Sequence, residues 1–508
     1  MRTPLPFYLR LALAVYLLSI TLNASAVEPA AVATHAWSFD DLDRLAQQCA
    51  ERPFEPSPKP PQVLQDLNYD SYRLIAFEHE RAIWKAERRP FWLECFHRGY
   101  LYNDEVQIDL VEDGAPQRLA FEPKLFQYRG ELAGMEVPRD IGFAGFRVIG
   151  KFDSSPHPLE LAALLGGCYF RAIGEGQVYG SSARALAIDI GLPKSEEFPV
   201  FRKFWIERPK DGAQALRMWA LLDSPTVAGA YQMTMCPGEA TKFDIRARLH
   251  FRKVPEKLGI APLTSMWMWG DGRAAPAGER RPKVHDADGL LIHTADDEWI
   301  WRPLSQQGYP SLTHYDLQGN RGFGLLQRDR TPTHFLDDEA KYHQRPSIWI
   351  EPQSGWKSGA VELLELPAEH EGIDNIAAWW VPHEKVKVGE PLDLEYRVSF
   401  LAGDPSLHRQ GVARAVATRV LRKKDLPVSL EVDFESEELA MLTTQPKPEL
   451  KVQRGKAGEP RVEQQTDGKW RVSFDMHPEG DAPVELSLVL MQDKQPLTET
   501  WRYLCPKP

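Results

Sequence analysis

The sequence predicts an all-β fold, with a large antiparallel sandwich followed by a smaller one. Three observations point there. Apolar residues recur with period 2 over most of the chain, long helical patterns are nearly absent, and Gly, Pro and Asp clusters separate the alternating runs. A length of 508 residues exceeds what one compact core fills and implies two or three domains.

Residues 1–26 read as an export signal. Arg2 and Arg10 carry positive charge, Leu11 to Leu22 form a short apolar run, and Ala24-Ser25-Ala26 offers a small-x-small cleavage site. There is no twin-Arg pair, so the general secretory route and a periplasmic destination are expected. Ser38 and Asp41 form a capping box, and Leu42, Leu45, Ala46 and Cys49 follow at helical spacing. Pro53, Pro56, Pro58, Pro60 and Pro61 end that helix, because proline lacks the N–H a helix interior needs.

Beyond them the period is 2. Val106/Ile108/Leu110, Phe243/Ile245/Ala247/Leu249/Phe251 and Leu392/Leu394/Tyr396/Val398/Phe400 each alternate with mostly polar neighbours. Turn residues near Leu401-Ala-Gly-Asp-Pro mark a boundary. Past it, Val428/Leu430/Val432/Phe434, Trp470/Val472/Phe474/Met476 and Val484/Leu486/Leu488/Leu490 have the length and spacing of an immunoglobulin-like sandwich. The expected partition is therefore 27–401 for the large domain, 402–411 for a linker and 412–508 for the immunoglobulin-like domain. Cys49, Cys95, Cys168, Cys236 and Cys505 are odd in number and widely spaced, with no zinc-type pattern, so they form no disulfide framework.

A formal net charge of −11 excludes nucleic acid as the main partner, since phosphate binding needs a basic face. The 15 Trp are unusual, and eight lie between positions 267 and 380. Indole faces stack on the apolar faces of sugars, while carboxylates, amides and Arg hold the hydroxyls. The window has both kinds of residue. Burial in a core is the ordinary alternative for any single Trp, but the cluster as a whole suggests a ligand groove. In Glu298-Trp-Ile-Trp-Arg302, Trp299 and Trp301 share one face.

Acids crowd the same window. Asp286 and Asp288 fall at i, i+2 on one side of an extended segment, and Glu351, Glu362, Glu365, Glu371 and Asp374 follow. Glycosidases need two carboxyl groups flanking the scissile bond, so this pattern permits that chemistry without specifying it. Asp286-Ala-Asp288-Gly289 lacks the third ligand and distal Glu of a calcium loop, and no metal or other cofactor is expected. There is no nucleophile elbow, phosphate loop or zinc-protease motif.

Several longer segments are more specific. Cys168-Tyr-Phe-Arg171-Ala-Ile-Gly174-Glu-Gly-Gln-Val-Tyr179-Gly180-Ser-Ser-Ala-Arg184 resembles a signature of the OpgG/OpgD (MdoG/MdoD) family of osmoregulated periplasmic glucan biosynthesis proteins. Arg281-Pro-Lys-Val-His285-Asp286-Ala-Asp288-Gly289, Glu298-Trp-Ile-Trp-Arg302, Gly322-Phe-Gly-Leu-Leu-Gln-Arg328, Arg345-Pro-Ser and Asp374-Asn375-Ile match that family too. The similarity runs from about Asn68 to Phe400, and the domain order continues beyond. Ala185 departs from the family's usual Gly.

The resemblance implies a galactose-mutarotase-like β-sandwich, a C-terminal immunoglobulin-like domain and a periplasmic role with β-1,2-linked glucan. Members are grouped as glycoside hydrolase family 186, which implies anomer-inverting hydrolysis or transglycosylation. It also implies that Asp374 is the general acid and Asp286 the general base, acting through a relay of water and substrate hydroxyls. On this reading Ile376 and Trp379 desolvate Asp374, and His285 helps keep Asp286 ionised. Residue type and position in the matching segments nominate Tyr179, Arg184, Trp299, Trp301, Arg302, Tyr315, Arg328, Trp349, Glu351 and Trp356 as sugar contacts. A β-glucan polysaccharide is the expected partner, with a membrane glucosyltransferase and a homodimer as further expectations. The competing reading is a lectin-like glucan-binding protein that couples that glucosyltransferase to glucan maturation without catalysis.

Overall fold

The computed structural model describes residues 36–305, 308–405, 411–422, 427–479 and 482–505. The expected export signal lies outside them, as do positions 406–410 of the expected linker.

The described chain is an all-β sandwich. A ten-stranded sheet runs in the spatial order Trp92–Phe96, Gly145–Gly150, Leu159–Leu165, Tyr169–Ala172, Ser182–Arg184, Leu258–Ser265, Ile376–Pro382, Gly359–Glu365 and Ser311–Leu317. Its tenth strand, Leu186–Ile188, branches onto Leu258–Ser265. A fifteen-stranded sheet packs against it, centred on Ser347–Ser354, Leu392–Leu401, Thr241–Phe251 and Val227–Cys236. Alternation explains the strands. Along Thr241–Phe251, the apolar positions Phe243, Ile245, Ala247, Leu249 and Phe251 are buried and the residues between them reach the surface. The two inner faces meet in edge-to-face and tilted ring pairs. Phe146 lies 5.0 Å from Phe204 and Phe170 lies 5.2 Å from Phe243. Burying each such ring contributes roughly 1.5–3 kcal/mol.

The helix Phe39–Ala50 begins as the capping box requires. The Asp41 carboxylate accepts from the Ser38 N–H at 2.9 Å and from its hydroxyl at 2.7 Å. Phe39, Leu42 and Ala46 then pack on Trp205 and Trp219, on the outside of the fifteen-stranded sheet. Ala185 is buried between two short strands and its φ is not positive, so its backbone does not require glycine. All five cysteines of the described chain are free thiols.

At the C-terminus the strands of the expected immunoglobulin-like domain divide between two sheets. Arg414–Leu421, Val428–Glu435, Trp470–Pro478, Gly455–Ala457 and Arg461–Gln464 form a five-stranded sheet. The facing strands, Lys447–Gln453, Val484–Gln492 and Thr500–Cys505, belong to the fifteen-stranded sheet itself. Thr500–Cys505 pairs in parallel with Trp299–Pro303, through Ile300↔Thr500 and Trp301↔Trp501. The two sandwiches therefore share one continuous sheet. The pairing satisfies an edge strand that would otherwise expose unpaired backbone groups.

Candidate active site

Two carboxylates, two arginines and their supports converge on the outer face of the ten-stranded sheet. Register across that sheet aligns Glu94, Arg147, Ala163 and Arg171 on the face opposite the core residues Phe146, Ala162 and Phe170. Arg171 donates through Nε to Ser182 Oγ at 2.5 Å, and its Nη2 lies 3.8 Å from Asp374 Oδ2. Asp374 stands just before the strand Ile376–Pro382, with its side chain 39% exposed. Its neighbour Asn375 is buried and holds it in place. Asn375 accepts from the Trp267 N–H at 2.9 Å and donates to the carbonyls of Trp267 at 2.9 Å and Leu366 at 2.8 Å.

The same segment positions Asp286, whose N–H donates to the Met266 carbonyl at 2.8 Å. Asp286 follows the two-residue strand Val284–His285, which pairs with Trp267–Trp269. Its carboxylate is buried and bonded to the Arg345 guanidinium. Gly180 lies so close to Arg345 that a Cβ there would sit 2.7 Å from the arginine's own Cβ. The arginine also lies over the Tyr342 ring, 4.4 Å from its centroid, and the Tyr342 hydroxyl donates to Glu371 at 3.1 Å.

Burial pushes the Asp286 carboxyl up to about 6. Arg345 opposes that push, the negative charge of Asp374 adds to it, and Arg171 opposes it again. The two carboxylates are thus in electrostatic contact across one site. Two expectations need correction. Ile376 belongs to the main core and Trp379 packs with Ala187 and Ile190, so neither covers Asp374. His285 does not assist Asp286. It is buried, its imidazole is pushed down by that burial, its Nδ1 bonds Gln327 Oε1 at 2.9 Å, and its Nε2 faces Asp288 at 3.4 Å.

The expected sugar contacts divide, and most are structural. Trp299, Trp301 and Trp349 are buried in the core beneath the five-stranded sheet, together with Leu430, Val472 and Trp501. They occupy the outer face of the other sheet, because Trp299–Pro303 and Ser347–Ser354 both belong to the fifteen-stranded sheet and the C-terminal strands cover that face. Arg328 stacks on Trp301 at 3.6 Å and pairs with Asp404 and Glu499, each at 2.6 Å, which ties the two sandwiches together. Arg302 is buried on Glu365 at 2.7 Å. Tyr315 is buried in the main core. Trp356 packs at its rim on Trp380 and Tyr396 and donates to the Glu395 carbonyl at 3.2 Å. Glu351 is half-buried in cross-strand register with Arg397. Arg184 is buried on Glu196, with Tyr169 and Phe198 each 5.0 Å from its guanidinium, so it supports two rings instead of presenting itself. Tyr179 alone stays beside the site. It is half-buried, and its hydroxyl is pushed up by burial and by Glu160, with Arg147 and Arg171 opposing.

Sequence reasoning missed Arg171, Arg345 and Asn375. All three stand inside the motif segments, and that placement was the available signal. Among the described residues, no group of three or more His, Cys, Asp or Glu could hold a metal ion.

Fold and site together define an all-β sandwich protein with an arginine-held carboxylate pair on one sheet face. The chain belongs to the family of the periplasmic glucan biosynthesis protein MdoG, whose model matches residues 37–505. Its role is accordingly in periplasmic glucan biosynthesis. No helix among the described residues is long and apolar enough to cross a membrane.

Proposed function

We propose that the protein acts on β-1,2-glucan as an anomer-inverting glycoside hydrolase or transglycosylase, with Asp374 as general acid and Asp286 as general base. The observation that carries this is the asymmetric carboxylate pair. Asp374 is open to an incoming glycosidic oxygen, while Asp286 is buried behind Arg345 and raised to about 6. A base is most effective when its pKa lies near the working pH, and a carboxyl at about 6 is mostly ionised at neutrality yet far more basic than an ordinary Asp.

In its protonated form, Asp374 gives its proton to the leaving glycosidic oxygen as the C1–O bond breaks. A water or sugar hydroxyl attacks the opposite face of the anomeric carbon, and its proton passes to Asp286. Because Asp286 is buried, that proton travels through an intervening water or substrate hydroxyl. Water as acceptor gives hydrolysis, and a sugar hydroxyl gives transglycosylation.

The test is product analysis with purified protein and linear β-1,2-glucan, following the anomer formed. Wild type should shorten or rearrange the polymer with inversion. Asp374→Asn should lose on the order of 10²–10⁴-fold in rate, the usual contribution of a positioned acid. A polymer left intact by wild type would overturn the enzymatic reading. A second reading, a glucan-binding protein coupled to a membrane glucosyltransferase, is favoured by the half-open Asp374–Arg171 pair, which suits sugar hydroxyls without any chemistry. On that reading Asp374→Asn weakens binding and no product ever forms.

A further inference from the structure

We infer that a tyrosine cluster beside the carboxylate pair, Tyr69, Tyr72, Tyr100 and Tyr102, is a stacking platform for the glucan chain as it leaves the reaction centre. The inference rests on the proposed glucan activity and extends it to a second binding region. Four rings sit together at the end of the ten-stranded sheet. Tyr69 and Tyr72 lie 6.4 and 6.1 Å from Tyr100, and Tyr102 lies 5.6 Å from Tyr72. Such clusters usually fill cores, but this one opens to solvent. Tyr69 is 59% exposed, and Leu101, which stands between Tyr100 and Tyr102 in the chain, is 73% exposed. Large apolar side chains exposed together beside a ring cluster mark a candidate contact site.

The backbone is bent to present these rings. Tyr100 has φ +55°, a conformation that costs a bulky residue roughly 1–3 kcal/mol and persists where the surroundings enforce it. Its N–H is tied to the Leu64 carbonyl at 2.9 Å, and the Tyr72 hydroxyl donates to the His97 carbonyl at 2.7 Å. The Tyr100 backbone and the Tyr72 ring are therefore held in place, which lowers the entropy lost on binding.

Position links the cluster to the reaction centre. A Cβ on Gly166 would touch the Tyr102 ring at 3.4 Å, so that ring lies over the turn joining Leu159–Leu165 to Tyr169–Ala172. Arg171, which faces Asp374, stands on the second of those strands. Its charge is felt at the Tyr102 hydroxyl, which burial pushes up and Arg171 pulls back. Aromatic faces suit the C–H faces of pyranose rings, and Arg73 and Glu131 stand close by, over the Tyr69 ring and on Ser71, to meet hydroxyls. A neutral polyhydroxylated chain fits this mixture of rings and isolated charges better than an ion does.

The test is calorimetric binding of short and long linear β-1,2-glucans to the full chain carrying Asp374→Asn. With the cluster intact, affinity should rise with chain length. Adding Tyr69→Ala and Tyr100→Gly should remove that gain, weakening the long chain about tenfold more than the short one. Glycine relieves the positive φ while deleting the ring, so misfolding is not the expected cause of loss, and an unchanged Tm checks this. Tyr69→Phe with Tyr100→Phe should restore the gain, because the ring faces remain. Equal affinities for cluster variants and parent at every length would overturn the platform and leave the proposed function standing. The same holds if the variants change only the oligomeric state in light scattering. If the wild-type protein neither binds nor alters β-1,2-glucan of any length, the proposed function falls, and the platform with it.

Discussion

Asp286 is buried against the part-buried Arg345, and on the proposed mechanism their balance sets the working pH of the site. Burial raises the carboxyl to about 6 and Arg345 restrains it. As the proposed base Asp286 must be ionised, so kcat/KM on glucan should fall about tenfold per pH unit below that value. Arg345→Gln removes the restraining cation, leaves the desolvation in place and so moves the acid limb to higher pH. A pH–rate profile of the two proteins checks the direction, and a shift toward acid would contradict the pairing. The acids themselves were legible as candidates in sequence, since Asp286 and Asp374 stand in recognisable segments. Their environments were not. Apolar neighbours along the chain, Ile376 and Trp379, turn into cores, while the arginines that set the charge come from residues about 60 and 200 positions away.

The segment Met266–Trp269 matters at the scale of elements. It receives the Asp286 N–H through Met266 and the Asn375 side chain through Trp267, so one short strand sets both carboxylates. Asn375→Ala deletes three hydrogen bonds and leaves the Trp267 and Leu366 backbone groups without these partners in a buried setting. The expected cost is about 1–3 kcal/mol in a denaturant melt. The drop in kcat should exceed the change in KM, because Asp374 is misplaced and sugar-binding groups are not. A variant that loses stability and keeps full kcat would show that Asn375 supports only the fold. Period-2 patterning located the strands well, including Thr241–Phe251 and Leu392–Leu401. It could not say which sheet each joins, and that choice decides which residues share a face.

At the scale of the whole molecule, the C-terminal region completes the large sandwich. It pairs with Trp299–Pro303, covers Trp299, Trp301 and Trp349, and closes over Arg328 with Asp404 and Glu499. Removing residues 402–508 would expose those indoles, free a sheet edge and leave Arg328 without its acids, three liabilities at once. The truncated chain should therefore be recovered mainly as aggregate, as judged by soluble fraction and light scattering. A soluble, monomeric and fully active truncation would refute this role.

By itself, the sequence determined the all-β class, the first helix with its cap, the alternating strands, the family segments and the acidic residues worth testing. Those features are local, set by side-chain period, turn chemistry and motif spacing over a few residues. Only the tertiary structure decided what the tryptophans are for. Between Gly289 and Leu401 the chain crosses repeatedly from one sheet to the other, so residues close in sequence, such as Trp349 and Asp374, end on opposite sides of the sandwich. Hydrophobic surface then goes where the C-terminal sheet can bury it, and the carboxylate pair is left on the other face, with Arg171 and the tyrosines drawn from the first half of the chain and Arg345 from the second.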